Sequence, residues 1–153
     1  MSDIKLVTRN RKALHDFFII AKYESGIALR GTEVKAIREG KVNLQDAYAR
    51  ARNGSIFLVG LHISPWAGAN DYDQHDPVRE RRLLLHKREI GKITEKIEAG
   101  GMTLIPLALY FKNGKLKVEL GLAKGKKQHD KRDAVAAREA KREMDRARAH
   151  RLR

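Results

Sequence analysis

Cysteine is absent from this chain of 153 residues. That excludes disulfide scaffolds, thiolate metal sites and cysteine nucleophiles together, and it suits a reducing cytoplasm, the expected location. Long apolar runs are missing too. The longest, such as Phe17–Ala21 and Leu104–Phe111, fall far short of the roughly 18–20 residues that span a bilayer. The first six residues, from Met1 to Leu6, hold no apolar core of a secretory signal, so none is expected. Acidic charge is scarce. Nineteen Asp and Glu face 33 Lys and Arg, a formal net charge of +14, and a field that lopsided selects polyanions, nucleic acid first and anionic membrane second.

What is present supports a folded body. Hydrophobic residues make up 42% of the chain, enough for one domain of about 100–150 residues plus an appendage. Residues 1–123 carry 21 basic and 14 acidic side chains, and residues 124–153 carry 12 and 5, so each part has a net +7. Beyond Gly125 there is no Gly, Pro or aromatic residue, and Val135, Met144 and Leu152 are the only large apolar ones. The chain thus divides into a body, 1–123, and a basic tail, 124–153. The tail favours helix by composition but has no apolar stripe, so alone it is expected to be coil or fraying helix, becoming helical when its cations are neutralised.

Two Asn-Gly dipeptides mark hairpins. One joins Tyr48–Arg52 to Ser55–Ile63, and the other joins Leu107–Lys112 to Lys115–Leu122, where Leu116, Val118, Leu120 and Leu122 alternate with Lys115, Lys117, Glu119 and Gly121. Asp16–Tyr23 and Gly26–Arg30 read as two further strands joined near Glu24 and Ser25. A short helix capped by Thr32 runs through Arg38, with Val34 and Ile37 inward and Gly40 as its stop. A second runs from about His86 to Ala99 on Ile90, Ile93 and Ile97. Short strands interrupted by two helices predict a mainly β protein, a small antiparallel barrel of the oligonucleotide-binding type.

Catalytic chemistry finds little support. Asp71, Asp73, His75 and Asp76 could ligate a divalent metal for phosphodiester cleavage, but turn-forming residues ending at Asp76-Pro77 equally make a plain polar loop. No serine sits in a nucleophile elbow, and His15, His62 and His86 have no acid partner evident in sequence. The stretch Gly121–Lys127 lacks the glycine spacing and the hydroxyl of a phosphate-binding loop. No enzyme activity, cofactor or metal is expected. Aromatics are only 6%, and no ladder of exposed Phe, Tyr or Trp alternates with Lys or Arg, so base stacking is secondary. Structured RNA held by backbone and shape is therefore the expected ligand.

Five motifs carry a resemblance: Asn10-Arg11-Lys12-Ala13; Tyr23 to Ile27; Gly31 to Lys35; Asp76 to Arg79 with Arg82 to His86; and Gly121 to Lys127 with Asp130-Lys131-Arg132. Together they resemble the small protein B family, the bacterial partners of transfer-messenger RNA in trans-translation. The resemblance implies a non-enzymatic, monomeric adaptor that grips the tRNA-like domain of that RNA. It would promote delivery, with GTP-bound elongation factor Tu held indirectly through the RNA, to ribosomes stalled on messages without a stop codon. It implies RNA contacts at Asn10, Arg11, Lys12, Glu24, Lys35, Arg82, Leu84, Lys117 and Lys124. For the small-subunit decoding centre it implies Lys126, Lys127, His129, Asp130, Lys131 and Arg132, with the tail entering the empty messenger channel. Two other readings stay open on the residues alone: a barrel-type ribosomal or initiation protein, and a metal-dependent nuclease built on the loop from Asp71 to Asp76.

Overall fold

A computed structural model describes residues 3–126 and, within the tail, Lys141, Arg142, Met144 and Arg146. Both Asn-Gly dipeptides turn hairpins. Asn53 and Asn113 sit at φ 52° and 51°, and Gly54 and Gly114 at 75° and 78°, the left-handed pair whose twist matches the strands on either side. The turns set the register directly, Arg52 opposite Ser55 and Lys112 opposite Lys115.

In chain order the elements are β1 (Ile4–Arg9), α1 (Arg11–Asp16), β2 (Phe17–Ile27), α2 (Gly31–Arg38), β3 (Val42–Asn43), β4 (Tyr48–Arg52), β5 (Ser55–Val59), β6 (His62–Ile63), β7 (Arg81–Leu84), α3 (Lys87–Glu98), β8 (Thr103–Lys112) and β9 (Lys115–Gly125). All strand pairings are antiparallel. The order β8-β4-β5-β7-β2-β9 runs around a ring that the β8–β9 pairing closes, and β1 lies along β8. The expected mainly β antiparallel barrel is the observed architecture. β3 and β6 form a separate two-stranded sheet.

Three local expectations change. Residues 17–27 form one continuous strand rather than two, because Glu24 and Ser25 pair with Glu119 and Val118 of β9 instead of turning. The strand expected over Ser55–Ile63 ends at Val59, where Gly60 adopts φ 80°, and its last two residues, as β6, join β3. Thr32 does not cap α2. Arg30 occupies the N-cap, its backbone N–H donating to Glu33 Oε1 at 2.8 Å, while the Thr32 hydroxyl meets His75 Nδ1 at 2.8 Å.

Inward positions fill the ring. Ile56, Leu58, Leu83, Val118, Leu120 and Leu122 are fully enclosed, each contributing roughly 1.5–3 kcal/mol relative to exposure. α2 and α3 add Ile37 and Ile93 to this core, with Val34 half-buried. α1 seats Ala13 in a smaller cluster against Ile105, Leu107 and Ala123.

One ionic network is enclosed with the core. Arg81 and Glu33 are both completely buried and hydrogen-bonded through Arg81 Nε and Glu33 Oε2. Arg79 Nη2 donates to the other carboxylate oxygen at 2.6 Å, and Arg81 donates onward to the carbonyls of Leu61 (2.7 Å), Pro77 (3.2 Å) and Asp76 (3.3 Å). Burial pushes the Glu33 carboxyl up, but donors from Arg79, the Arg30 backbone and Arg81 outweigh it and hold it below the usual carboxylate range. The network ties α2 to the long connection before β7.

Candidate nucleic-acid interface

Strand register assembles the central part of the interface from four segments that are distant in sequence. Leu84 lies opposite Gly26, Gly26 opposite Lys117, Lys117 opposite Tyr110, and Tyr110 opposite Leu6. These residues form one transverse row over β7, β2, β9, β8 and β1. Leu84 and Leu6 are exposed while Lys117 is half-buried. Gly26 carries no side chain, and Leu84 fills the space above it: a Cβ there would come within 3.2 Å of the Leu84 Cβ. Leu84 is thus an apolar shoulder packed close over Gly26, beside the Lys117 cation.

Glu24 stands two residues along β2 on the same face. Its carboxylate accepts a hydrogen bond from the Tyr110 hydroxyl at 2.5 Å and another from Lys112 Nζ at 3.4 Å. The Tyr110 bond holds the Glu24 carboxyl below its ordinary value, against the opposing effect of burial, with help from Lys112 and Lys117. Burial, and then the Glu24 carboxylate, push the Tyr110 hydroxyl up, so it stays a donor. Glu24 is thus a fixed anion with lone pairs to spare, able to accept from a 2′-hydroxyl or a base amino group.

Three of the residues expected to meet RNA, Glu24, Leu84 and Lys117, come together here. Others sit apart. Asn10 is buried: its Oδ1 accepts from the Ala13 N–H at 3.1 Å, and its Nδ2 donates to the carbonyls of Pro106 (3.0 Å) and Leu44 (3.3 Å). Its side chain is committed to starting α1, so it presents Arg11 and Lys12, both exposed, rather than itself. Lys12 reaches Asp46 at 3.5 Å. Lys35 lies over the Trp66 ring, 4.3 Å from its centroid. Arg82 is exposed on β7 opposite Phe57.

At the far end of β9, Lys124 pairs with Phe18 of β2, and Lys126 Nζ sits 4.6 Å from the Phe18 centroid. The Lys126 N–H donates to the Asp16 carbonyl at 2.7 Å, so the tail leaves from a held position. Lys127, His129, Asp130, Lys131 and Arg132 lie outside the described residues. Lys141, Arg142, Met144 and Arg146 are helical and exposed.

The loop at 71–76 is anchored by its histidine. His75 is buried, with Nδ1 on Thr32 and Nε2 on the Ile63 carbonyl at 2.9 Å, so both ring nitrogens are engaged in securing the loop. Among the described residues no three His, Asp or Glu side chains converge as a metal site. The Gly121–Gly125 part of the glycine-containing stretch is strand, not a phosphate loop. No helix among the described residues is long and apolar enough to cross a membrane.

Tyr110 and Lys112 were not anticipated. Half of their placement is legible, because a two-residue turn at Asn113-Gly114 puts Tyr110 opposite Lys117. The other half, β2 lying beyond β9, requires the closed ring.

Comparison with known proteins agrees with this geometry. The SmpB protein family model matches residues 7–150. The chain is 56% identical over 142 residues to the SsrA-binding protein of Acetivibrio thermocellus, covering 93% of this chain and 92% of that one. It is 54% identical over 145 residues to the SsrA-binding protein of Halothermothrix orenii, covering 95% and 93%. A solved chain described as "tmRNA-SmpB: a journey to the center of the bacterial ribosome" superposes with a TM-score of 0.65 at 48% identity, over 78% of this chain and 84% of that one.

Proposed function

The chain belongs to the SmpB family, and from that membership we propose that it is an RNA-binding adaptor of ribosome rescue. It binds the tRNA-like domain of transfer-messenger RNA and promotes delivery of that RNA to stalled ribosomes, acting in the cytoplasm without making or breaking a bond. The names of its relatives and of the ribosome complex it resembles support this reading. The observation that carries it is the meeting of Glu24, Leu84 and Lys117 around Gly26.

In this reading each residue has a separate task. Lys117 neutralises a phosphate, Leu84 packs against a sugar or base, and Glu24, held by Tyr110, accepts from a 2′-hydroxyl or an amino group. An acid facing RNA costs phosphate affinity, so its use is selectivity: a ligand that offers no donor there leaves a carboxylate desolvated and unpaired. Arg11, Lys12, Lys35, Arg82 and Lys124 supply further phosphate contacts. The tail, with 12 basic against 5 acidic side chains over residues 124–153, enters the decoding centre and the empty messenger channel. Lys126, Lys127, His129, Asp130, Lys131 and Arg132 make its first contacts there.

The test is a competition between two RNAs of equal length. A tRNA-like fragment of transfer-messenger RNA should bind at least tenfold more tightly than a plain duplex, and Glu24→Ala should reduce that ratio. Equal affinity for both RNAs would favour a general ribosomal RNA-binding barrel instead.

A further inference from the structure

Phe18 is an aromatic residue outside the core. It lies on the outer face of β2 with 51% of its surface exposed, whereas its neighbours Phe17 and Ile19 pack against the cluster of Ala13, Ile105 and Leu107. Its ring meets a cation instead. Lys124 stands directly opposite it on β9 and stays exposed, while the ring is taken by Lys126, whose Nζ sits 4.6 Å from the centroid. Residues two apart on a strand share a face, and a long side chain spans the diagonal to the neighbouring strand.

Lys126 is also held by its backbone. β9 ends at Gly125, opposite Phe17, and one further rung follows, the Lys126 N–H donating to the Asp16 carbonyl at 2.7 Å. Asp16 closes α1, so its carbonyl is among those that a helix end leaves without an intrahelical partner. Lys126 is thus attached twice, by its main chain to the end of α1 and by its side chain to β2. One attachment fixes a position; two fix a direction. The backbone bond alone would leave the chain to pivot at Gly125, the residue type with the widest conformational freedom. The ring removes that freedom.

We infer that Phe18 is a positioning residue for the tail: its ring seats Lys126 and so sets the direction in which the chain leaves the barrel. One side of the ammonium rests on the ring, and the N–H groups on its other side remain for a phosphate. The seat orders Lys126 before any RNA arrives and lowers the ordering cost of the contacts that follow. A ring suits this task better than an acid. A carboxylate in its place would pair with Lys126 and compete with the phosphate for its hydrogen bonds, whereas a ring face holds the charge and leaves them free. The inference rests on the reading of the tail as the part that enters the decoding centre, but the seat itself belongs to the free protein.

The chain has no cysteine, so two can be introduced for labelling. Spin labels at Lys115→Cys, beside the second Asn-Gly turn, and at Gln128→Cys, just past Lys126, report the spread of tail directions in the full chain without RNA. The distance distribution should be narrow. Phe18→Leu, which keeps an apolar side chain but no ring face, should broaden it, and Phe18→Trp should keep it narrow. Lys126→Met should broaden it as Phe18→Leu does, and the two together no further. In a reconstituted translation system Phe18→Leu should slow rescue of stalled ribosomes about two- to fivefold, the worth of one exposed cation–ring contact. Phe18→Trp should restore the rate, with affinity for the tRNA-like fragment unchanged in both variants. Leucine behaving as phenylalanine in the distance or the rescue measurement, or an equal loss of RNA affinity and rescue, would overturn the inference. If deleting residues 133–153 left rescue intact, the reading of the tail would fail, while the distance distributions still decided the seat.

Discussion

The hydroxyl of Tyr110 and the carboxylate of Glu24 are joined across an intervening strand, from β8 over β9 to β2. The bond fixes an acid on a face that otherwise gathers cations. Tyr110→Phe removes the donor and keeps the ring. Glu24 should then titrate nearer the ordinary carboxylate value, visible by carboxyl NMR, and affinity for the tRNA-like fragment should fall about three- to tenfold. Removing a hydrogen bond to a charged group costs roughly 1.5–3 kcal/mol, and the partial exposure of Glu24 puts the stability loss at the low end.

Gly26→Ala tests the seat of Leu84 over β2. Its Cβ would stand 3.2 Å from the Leu84 Cβ, close enough that Leu84 must shift by a few tenths of an ångström. Thermal stability should change by less than about 1 kcal/mol, within the range for surface substitutions, whereas RNA affinity should drop severalfold. Combined with Leu84→Ala, the binding losses should add to less than their sum, because both changes act on the same contact. Full additivity would separate the two positions.

Acid should unfold the barrel partly through Glu33. The folded carboxyl is held below its ordinary value, so its contribution is present above the unfolded value near 4.5 and is lost as pH falls through the folded one. Glu33→Gln should therefore flatten the acid limb of a stability–pH curve. At neutral pH it should cost roughly 3–5 kcal/mol, because Arg81 is left buried without its counter-ion. Denaturant melts at a series of pH values measure both effects.

Asn10→Ala should destabilise rather than directly remove an RNA contact. It deletes the N-cap of α1, worth about 1 kcal/mol, and leaves the carbonyls of Leu44 and Pro106 without their donor. RNA affinity should fall only as far as α1 frays, so lowering the temperature should restore it. A binding loss that persists in a fully folded variant would mean that Asn10 touches RNA itself.

Deleting residues 133–153 should leave binding of the tRNA-like fragment within about threefold, since the first contacts lie in the body. Rescue of stalled ribosomes in a reconstituted translation system should be abolished. A collapse of RNA binding would make the tail the main anchor.

Sequence periodicity sufficed where structure is local. The two Asn-Gly turns, the inward Val118, Leu120 and Leu122, and the helix on Ile93 all follow from patterns a few residues long. β2 misled because Glu24-Ser25 looks like a turn when read alone. Its straightness comes from β9, almost a hundred residues away in the chain. The capping role of Asn10 was not legible, since an exposed and a capping asparagine read alike until the carbonyls of Leu44 and Pro106 are placed beside it. The motifs behind the family resemblance span several of these segments, so they named Glu24, Leu84 and Lys117 together where local patterns could not.

β9 is a ruler as well as a wall. It carries Lys117 near one end and Lys124 at the other, and its pairing with β2 continues to Gly125, with Lys126 held on Asp16. From Lys117 to Gly125 the distance is about 27 Å at strand rise, and it is set by a count of residues rather than by a flexible joint. One residue gained or lost there would shift the origin of the tail by about 3.3 Å and turn every later side chain to the opposite face. The same change beyond residue 126 would lengthen or shorten the tail alone. The separation between Lys117 and the start of the tail is therefore a quantised property of a single strand.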